Sequence, residues 1–118
     1  MLDLLVIDEI VASDGAIKEI RLLVSYSKGN EEANKLAVVQ TNLSLGAGFS
    51  EVNTVFEVNE AKDTPVHYGG KLLALNHGGY IVTSGDGFDY REKAQVPASH
   101  LGKVLGFTLE GKPLNSPP

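Results

Sequence analysis

Leu2-Asp-Leu-Leu-Val-Ile-Asp-Glu-Ile-Val-Ala12, followed by Ser13-Asp-Gly15 and then Ala16-Ile-Lys-Glu-Ile-Arg-Leu-Leu-Val-Ser-Tyr-Ser27, is the stretch that decides the fold. In its first run Leu2, Leu4, Val6 and Ile10 fall on one face, with Asp3, Glu9 and several apolar residues on the other. In its second run Ile20, Leu22, Val24 and Tyr26 share a face, against Glu19, Arg21, Leu23 and Ser25. The repeat is two residues rather than 3.6, the period of an extended chain whose side chains alternate. Asp14-Gly15 between the runs is a short-hairpin signal. A helix over residues 17–23 is the alternative, but the Val, Ile and Tyr content favours strand.

Working outward, residues 28–34 are polar and read as a loop. Residues 35–41 read as a short apolar strand. Residues 42–50 carry Gly46 and Gly48 and read as a bend or bulge. Residues 51–59 alternate again, and residues 60–65 form a polar connection. Of the 13 glycines, 15, 29, 46 and 48 precede residue 60 and the rest follow it. The second half therefore reads as short strands at 66–68, 71–75, 80–84, 92–96 and 103–109. Turns are expected at 69–70, 76–79, 84–87 and 110–111. Many short strands joined by glycine turns predict an all-β fold, a small barrel or sandwich. One β-rich domain is expected over residues 1–112, with a possible sub-boundary near 60–65 and a tail or linker at 113–118.

Composition narrows the function. The net charge is −5, and an acidic surface repels phosphate backbones, so no nucleic-acid partner is expected. The chain has no cysteine, which removes disulfides, thiolate zinc sites and cysteine nucleophiles and leaves the compartment open. Asp3, Asp8 and Glu9 interrupt the apolar amino end, which also lacks the basic start of a signal peptide. No apolar run approaches the roughly 20 residues that span a bilayer, so no membrane partner is expected.

No candidate for chemistry converges. His67 and His77, with Asp86, Asp89 or Glu92 as a third ligand, match no metal-ligand spacing, and His100 stands apart. Asp86-Gly-Phe-Asp89 has part of a calcium loop but lacks the alternating acids and the distal Glu, so it reads as an Asp-stabilised turn. Gly46-Ala-Gly48 and Gly85-Asp-Gly87 do not run into Lys-Ser/Thr or open a helix, so no phosphate cradle is expected. Ser99 adjoins His100, but neighbours on a strand point to opposite faces, and no Gly-x-Ser-x-Gly elbow occurs. Asp8-Glu9 and Glu31-Glu32 read as solvated faces, and Asn42-Leu-Ser44 is a glycosylation acceptor only in a secreted eukaryotic setting. The expectation is a non-enzyme with no catalytic residues, no metal and no cofactor.

Gly79-Tyr-Ile-Val-Thr-Ser84, then Gly87, then Gly102-Lys-Val-Leu-Gly-Phe-Thr-Leu-Glu110 resembles the signature near the ends of trimeric bacteriophage tail-fibre and tail-spike proteins. The likeness covers residues 66–111 and departs at Phe107 and over residues 88–99. Small capsid decoration proteins are the related alternative. The resemblance implies a virion structural protein that assembles as a homotrimer, attaches to other virion proteins or to a host surface receptor, and resides in the virion. Physics adds that residues 2–11 are apolar on both faces, more than one small sheet can hide, so an interface is expected at Leu2, Leu4, Val6, Ile20, Leu22 and Val24. Tyr80, Phe88 and Tyr90 are the candidate surface contacts. The alternatives are a small β-barrel ligand-binding or adhesin domain of a cellular protein, and an enzyme subunit whose site lies between chains.

Overall fold

The computed structural model describes residues 2–30, 33–44, 46–59, 69–76, 78–85, 95 and 99–114. It is built from β1 (Asp3–Val11), β2 (Ile17–Gly29), β3 (Asn34–Ser44), β4 (Gly48–Glu57), β5 (Gly69–Ala74), β6 (Tyr80–Ser84) and β7 (Lys103–Phe107). Among the described residues all strand pairings are antiparallel and fall into two sheets, ordered β1-β2-β3-β4 and β5-β6-β7. Each strand lies beside its neighbour in sequence, so both sheets are meanders. The all-β expectation holds, as two face-packed sheets not closed into a barrel. No helix among the described residues is long and apolar enough to cross a membrane.

Local chemistry sets the turns. Between β1 and β2, Ala12 N donates to Ala16 O at 2.8 Å and Gly15 N to Ala12 O at 2.9 Å. The Asp14 carboxylate accepts from Ala16 N at 3.0 Å, and Gly15 takes φ 85°, the left-handed backbone that glycine adopts without cost. The expected bend over 42–50 is mostly strand, with a tight turn in which Ala47 N donates to Ser44 O at 3.1 Å. The strands continue because Thr41 Oγ1 donates to Ser50 O at 2.9 Å and Asn42 Nδ2 to Glu51 Oε2 at 2.8 Å. A bulge does sit there: the β3–β4 register slips between Gln40 and Asn42, and Glu51 takes φ 55°. The expected strands at 66–68 and, apart from Gln95, at 92–96 lie outside the described residues.

One face of each sheet forms the core. Register sets Leu5 opposite Leu23, and Val38 opposite both Ser25 and Phe56. In the second sheet Leu72, Val82 and Leu105 make one cross-strand row, and Tyr80 lies opposite Phe107. Leu23, Val38, Val82 and Phe107 are fully buried where these faces meet. The body measures 54 × 33 × 17 Å, with a radius of gyration of 15.6 Å.

Candidate functional site

The seam between the sheets is held at one end by β1, β2 and β5. The Asp3 carboxylate accepts from Leu72 N at 2.8 Å and lies 3.7 Å from Lys71 Nζ. The Leu72 hydrogen bond holds the Asp3 carboxyl below its ordinary value, although partial burial pulls it up. Ser25 Oγ, fully buried, donates to Gly70 O at 2.6 Å. At Gly70 (φ 93°), an added Cβ would come within 3.0 Å of the Leu2 side chain and 3.2 Å of Ser25 Oγ, so a side chain here would crowd the seam on a backbone that already favours glycine.

The other end is aromatic. Phe56 stacks on His100 at 5.5 Å and on Phe107 at 5.5 Å, and Tyr80 lies 6.0 Å from Phe107. Asn59 N donates to His100 Nδ1 at 2.9 Å, and His100 N donates to Asn59 Oδ1 at 3.1 Å. This reciprocal clasp ties the end of β4 to the lead-in to β7. Ser99 Oγ accepts from Leu101 N at 3.2 Å. The Ser99-His100 pair therefore serves the backbone here. Glu57 takes Lys28 at 3.1 Å and Lys35 at 3.0 Å, and those hydrogen bonds, Lys35's first, lower its carboxyl's pKa. Among the described residues no three His, Cys, Asp or Glu side chains come together in a metal-holding group.

The sequence candidates fall in three places. Tyr80 is half-buried and packs against the core, its ring tilted over that of Phe107, rather than standing free. Phe88, Tyr90, His67, His77, Asp86, Asp89 and Glu92 lie outside the described residues. Of the candidate interface residues, Leu4, Val6, Ile20, Leu22 and Val24 share the outer face of the first sheet, where Leu4 pairs with Val24 and Val6 with Leu22. Leu4 is 41 % and Val6 47 % exposed, Ile20 and Val24 are half-buried, and Leu22 is buried. Leu2 turns instead toward Gly70 of β5.

This outer face is the most distinctive surface of the described residues. It continues across the sheet through Val39 and Leu43 to Phe49, which is 63 % exposed. The second sheet has the same property on its own outer side. There Leu73 (53 % exposed), Ile81 and Val104 (56 % exposed) lie opposite the core-facing set. In a finished sandwich the outward positions alternate to polar residues. Sequence reading found the first of these faces from the double-sided apolar pattern of residues 2–11. It missed the second, because Leu73 and Val104 sit in runs too short to show two-sidedness. It also missed the seam contacts of Asp3 and Ser25, which join positions far apart in the chain.

A glucose/sorbosone dehydrogenase family model matches residues 8–118. The uncharacterized protein slr1608 of Synechocystis sp. is 30 % identical over 96 residues, which is 74 % of this chain and 23 % of that relative. The chain thus spans under a quarter of the length of the curated relative it matches. These findings overturn the phage reading: the family match runs through the whole fibre-like stretch 66–111, and both matches are to cellular proteins. Virion location, tail-fibre or decoration identity and attachment to virion partners or a host receptor are withdrawn with it. The physical reason is plain in β6 and β7. A glycine, a short apolar strand ending in Thr83-Ser84, a second glycine and a returning strand are what any glycine-turned antiparallel meander requires, whatever protein carries it.

Proposed function

Because this chain belongs to the glucose/sorbosone dehydrogenase family, we propose that it works as a two-sheet section of the framework of a larger cellular sugar dehydrogenase. The observation that carries this reading is the strand order. Both sheets are plain meanders that follow one another along the chain and pack face to face. Sandwich domains connect their two sheets by Greek-key crossings. Radial folds such as β-propellers instead repeat small antiparallel meanders, typically of four strands, around a channel. On that pattern β1–β4 make one such unit and β5–β7 supply three strands of the next.

The chemistry named by the family, removal of hydrogen from a sugar, takes two electrons and two protons from one carbon–oxygen unit and needs an acceptor and a base. In this reading those groups belong to the whole protein, and these two sheets contribute rigidity. The seam ties of Asp3, Ser25, Asn59 and His100 keep the sheets in one register, and strands held so are stiffer supports for active loops than loops are for one another.

A dye-reduction assay with glucose tests the reading. The 118-residue chain is assayed alone and as a chimera in which it replaces the matching segment of the Synechocystis relative. Turnover by the folded chimera, with none by the chain alone, is the expected result. Turnover by the chain alone, or a folded chimera inert toward glucose and other aldoses, overturns it.

A further inference from the structure

We propose that the Asn59–His100 clasp is an acid-released joint between the two sheets, closed while the His100 ring is neutral and opened when the ring takes up a second N–H proton. All of its parts belong to this chain, so the joint does not depend on the framework reading above.

Both ends of the clasp are rooted in the core. Val58, which precedes Asn59, is buried and ties back to the first sheet by donating its N–H to Leu36 O at 3.0 Å. Leu101, which follows His100, is buried too, and Gly102 N beside it donates to Gly85 O at 3.0 Å, just past β6. Asn59 and His100 thus meet where the end of β4 and the entry to β7 come together, and two hydrogen bonds pass between them. One of the two depends on a proton. His100 N to Asn59 Oδ1 joins a backbone donor to an amide oxygen, and neither titrates. Asn59 N to His100 Nδ1, at 2.9 Å, needs the lone pair of that ring nitrogen. The proton of the neutral ring therefore stands on Nε2, and the closed clasp takes only neutral imidazole.

Protonation puts an N–H on Nδ1, donor against donor, and leaves the Asn59 N–H without its acceptor. The surroundings do not reverse this. Phe56 stacks on the ring at 5.5 Å and is backed by Phe107. An aromatic face attracts a cation, but His100 is only half-buried, where water weakens that attraction, whereas the two donors would face each other at contact distance. Lys103 donates from Nζ to Leu101 O at 3.3 Å, and its positive charge disfavours another nearby. Glu57, next to Phe56 in β4, points to the other side of the strand, and Lys28 and Lys35 hold it at 3.1 and 3.0 Å. Val58, Asn59, Ser99 and Leu101 carry no charge. Among the described residues, then, no carboxylate on the segments that meet the ring draws an imidazolium into place. A histidine in the unfolded chain takes its proton at about pH 6.5. Below that the unfolded state binds more protons than the closed clasp, so the clasp contributes in full above that pH and its contribution is lost as pH falls.

Amide hydrogen exchange of the 118-residue chain, followed residue by residue by nuclear magnetic resonance, tests the joint at Asn59 itself. Measured against the unstructured rate at each pH, protection of the Asn59 amide is expected to fall by about tenfold or more between about pH 8 and about pH 5, while the amides of β2 and β3 keep theirs. Protection of Asn59 that is equal at the two pH values, or absent at both, overturns the proposal. A loss shared equally by all the strands also overturns it, because the whole chain is then unfolding. His100→Asn is the control: its side-chain oxygen accepts from Asn59 N where Nδ1 stood and does not titrate, while His67 and His77 remain. Over the same pH range the melting temperature of wild type is expected to fall further than that of His100→Asn, by about 4 °C. An equal fall assigns the pH effect to other groups and overturns the proposal. If His100→Asn does not fold, the Asn59 protection of wild type decides. Neither readout involves sugar turnover, so failure of the joint and failure of the framework reading are told apart.

Discussion

Leu4 and Leu5 are the same residue type, adjacent on β1, with opposite surroundings. Leu5 packs against the core formed between the sheets, while Leu4 stands 41 % exposed on the far side. The same division recurs in β7, where Phe107 is fully buried and Val104, three residues earlier, is 56 % exposed. Neither strand separates its faces by polarity, so burial here is decided by what lies opposite and not by the hydrophobicity of the residue. A strand that is apolar on both sides belongs to the interior of a stack, and in this protein the outer side of the first sheet buries Leu22 and Thr41 near its middle yet leaves Leu4 and Val6 exposed toward its β1 edge.

The sharpest way to break that comparison is in β7. Phe107→Ala removes a buried ring that stacks at 5.5 Å on Phe56 and lies 6.0 Å from Tyr80, and is expected to cost about 3–5 kcal/mol. Val104→Ala on the same strand is expected to cost under about 0.5 kcal/mol in the isolated chain. Chemical denaturation of the two variants measures the gap. Similar losses would mean that the outer face is covered within the chain after all.

Next in size is a pair of glycines. Gly70→Ala places a methyl group 3.0 Å from the Leu2 side chain and 3.2 Å from Ser25 Oγ, at a φ of 93°. Gly15→Ala has a similar φ of 85° but open space around the new carbon. Left-handed backbone alone costs a side chain about 1–2 kcal/mol. Gly15→Ala should show that cost, and Gly70→Ala should exceed it by about 1 kcal/mol or more as the Ser25 hydrogen bond to Gly70 is strained. Thermal unfolding of both variants separates the shared backbone effect from the crowding found only at the seam.

How much of this was legible beforehand divides along the same line. Period-two alternation and Asp14-Gly15 revealed β1, β2 and their hairpin, because strand geometry and turn chemistry are local. The double-sided pattern of residues 2–11 revealed that this ribbon needs more cover than one sheet gives. The identity of the cover was not legible. A hydrophobic face carries no address, and the glycine-punctuated stretch 79–110 suited a phage fibre as well as any other meander. Residues 42–50 read as a bend or bulge; the bulge is there, but the strands run on through 42–44 and 48–50 because Thr41 and Asn42 donate across the pair to Ser50 O and Glu51 Oε2. Gly70 looked like a turn residue. Its part in the seam appears only when Leu2 and Ser25, distant in sequence, are brought beside it.

The smallest effect is at Asp3, and it bears on the closed side of the comparison through its pH dependence. The carboxylate takes the Leu72 N–H at 2.8 Å, and that hydrogen bond is the main reason its pKa lies below the ordinary value of 3.8. A carboxyl group whose pKa is lowered in the folded state stabilises it fully above the unfolded value, and the contribution fades as pH falls through the folded one. Asp3→Asn keeps a neutral acceptor for Leu72 N and loses the charge, so wild type should exceed the variant by about 1 kcal/mol at neutral pH. Below both pKa values the wild-type side chain is itself neutral, and the two stabilities should converge. Lys71, with a side chain 77 % exposed, adds little because water screens it, and Lys71→Ala should leave the convergence in place. Urea titrations from neutral pH down to about pH 2 follow the difference. A gap that stays constant over that range would mean that Asp3 acts by shape alone, and that the seam owes nothing to its charge.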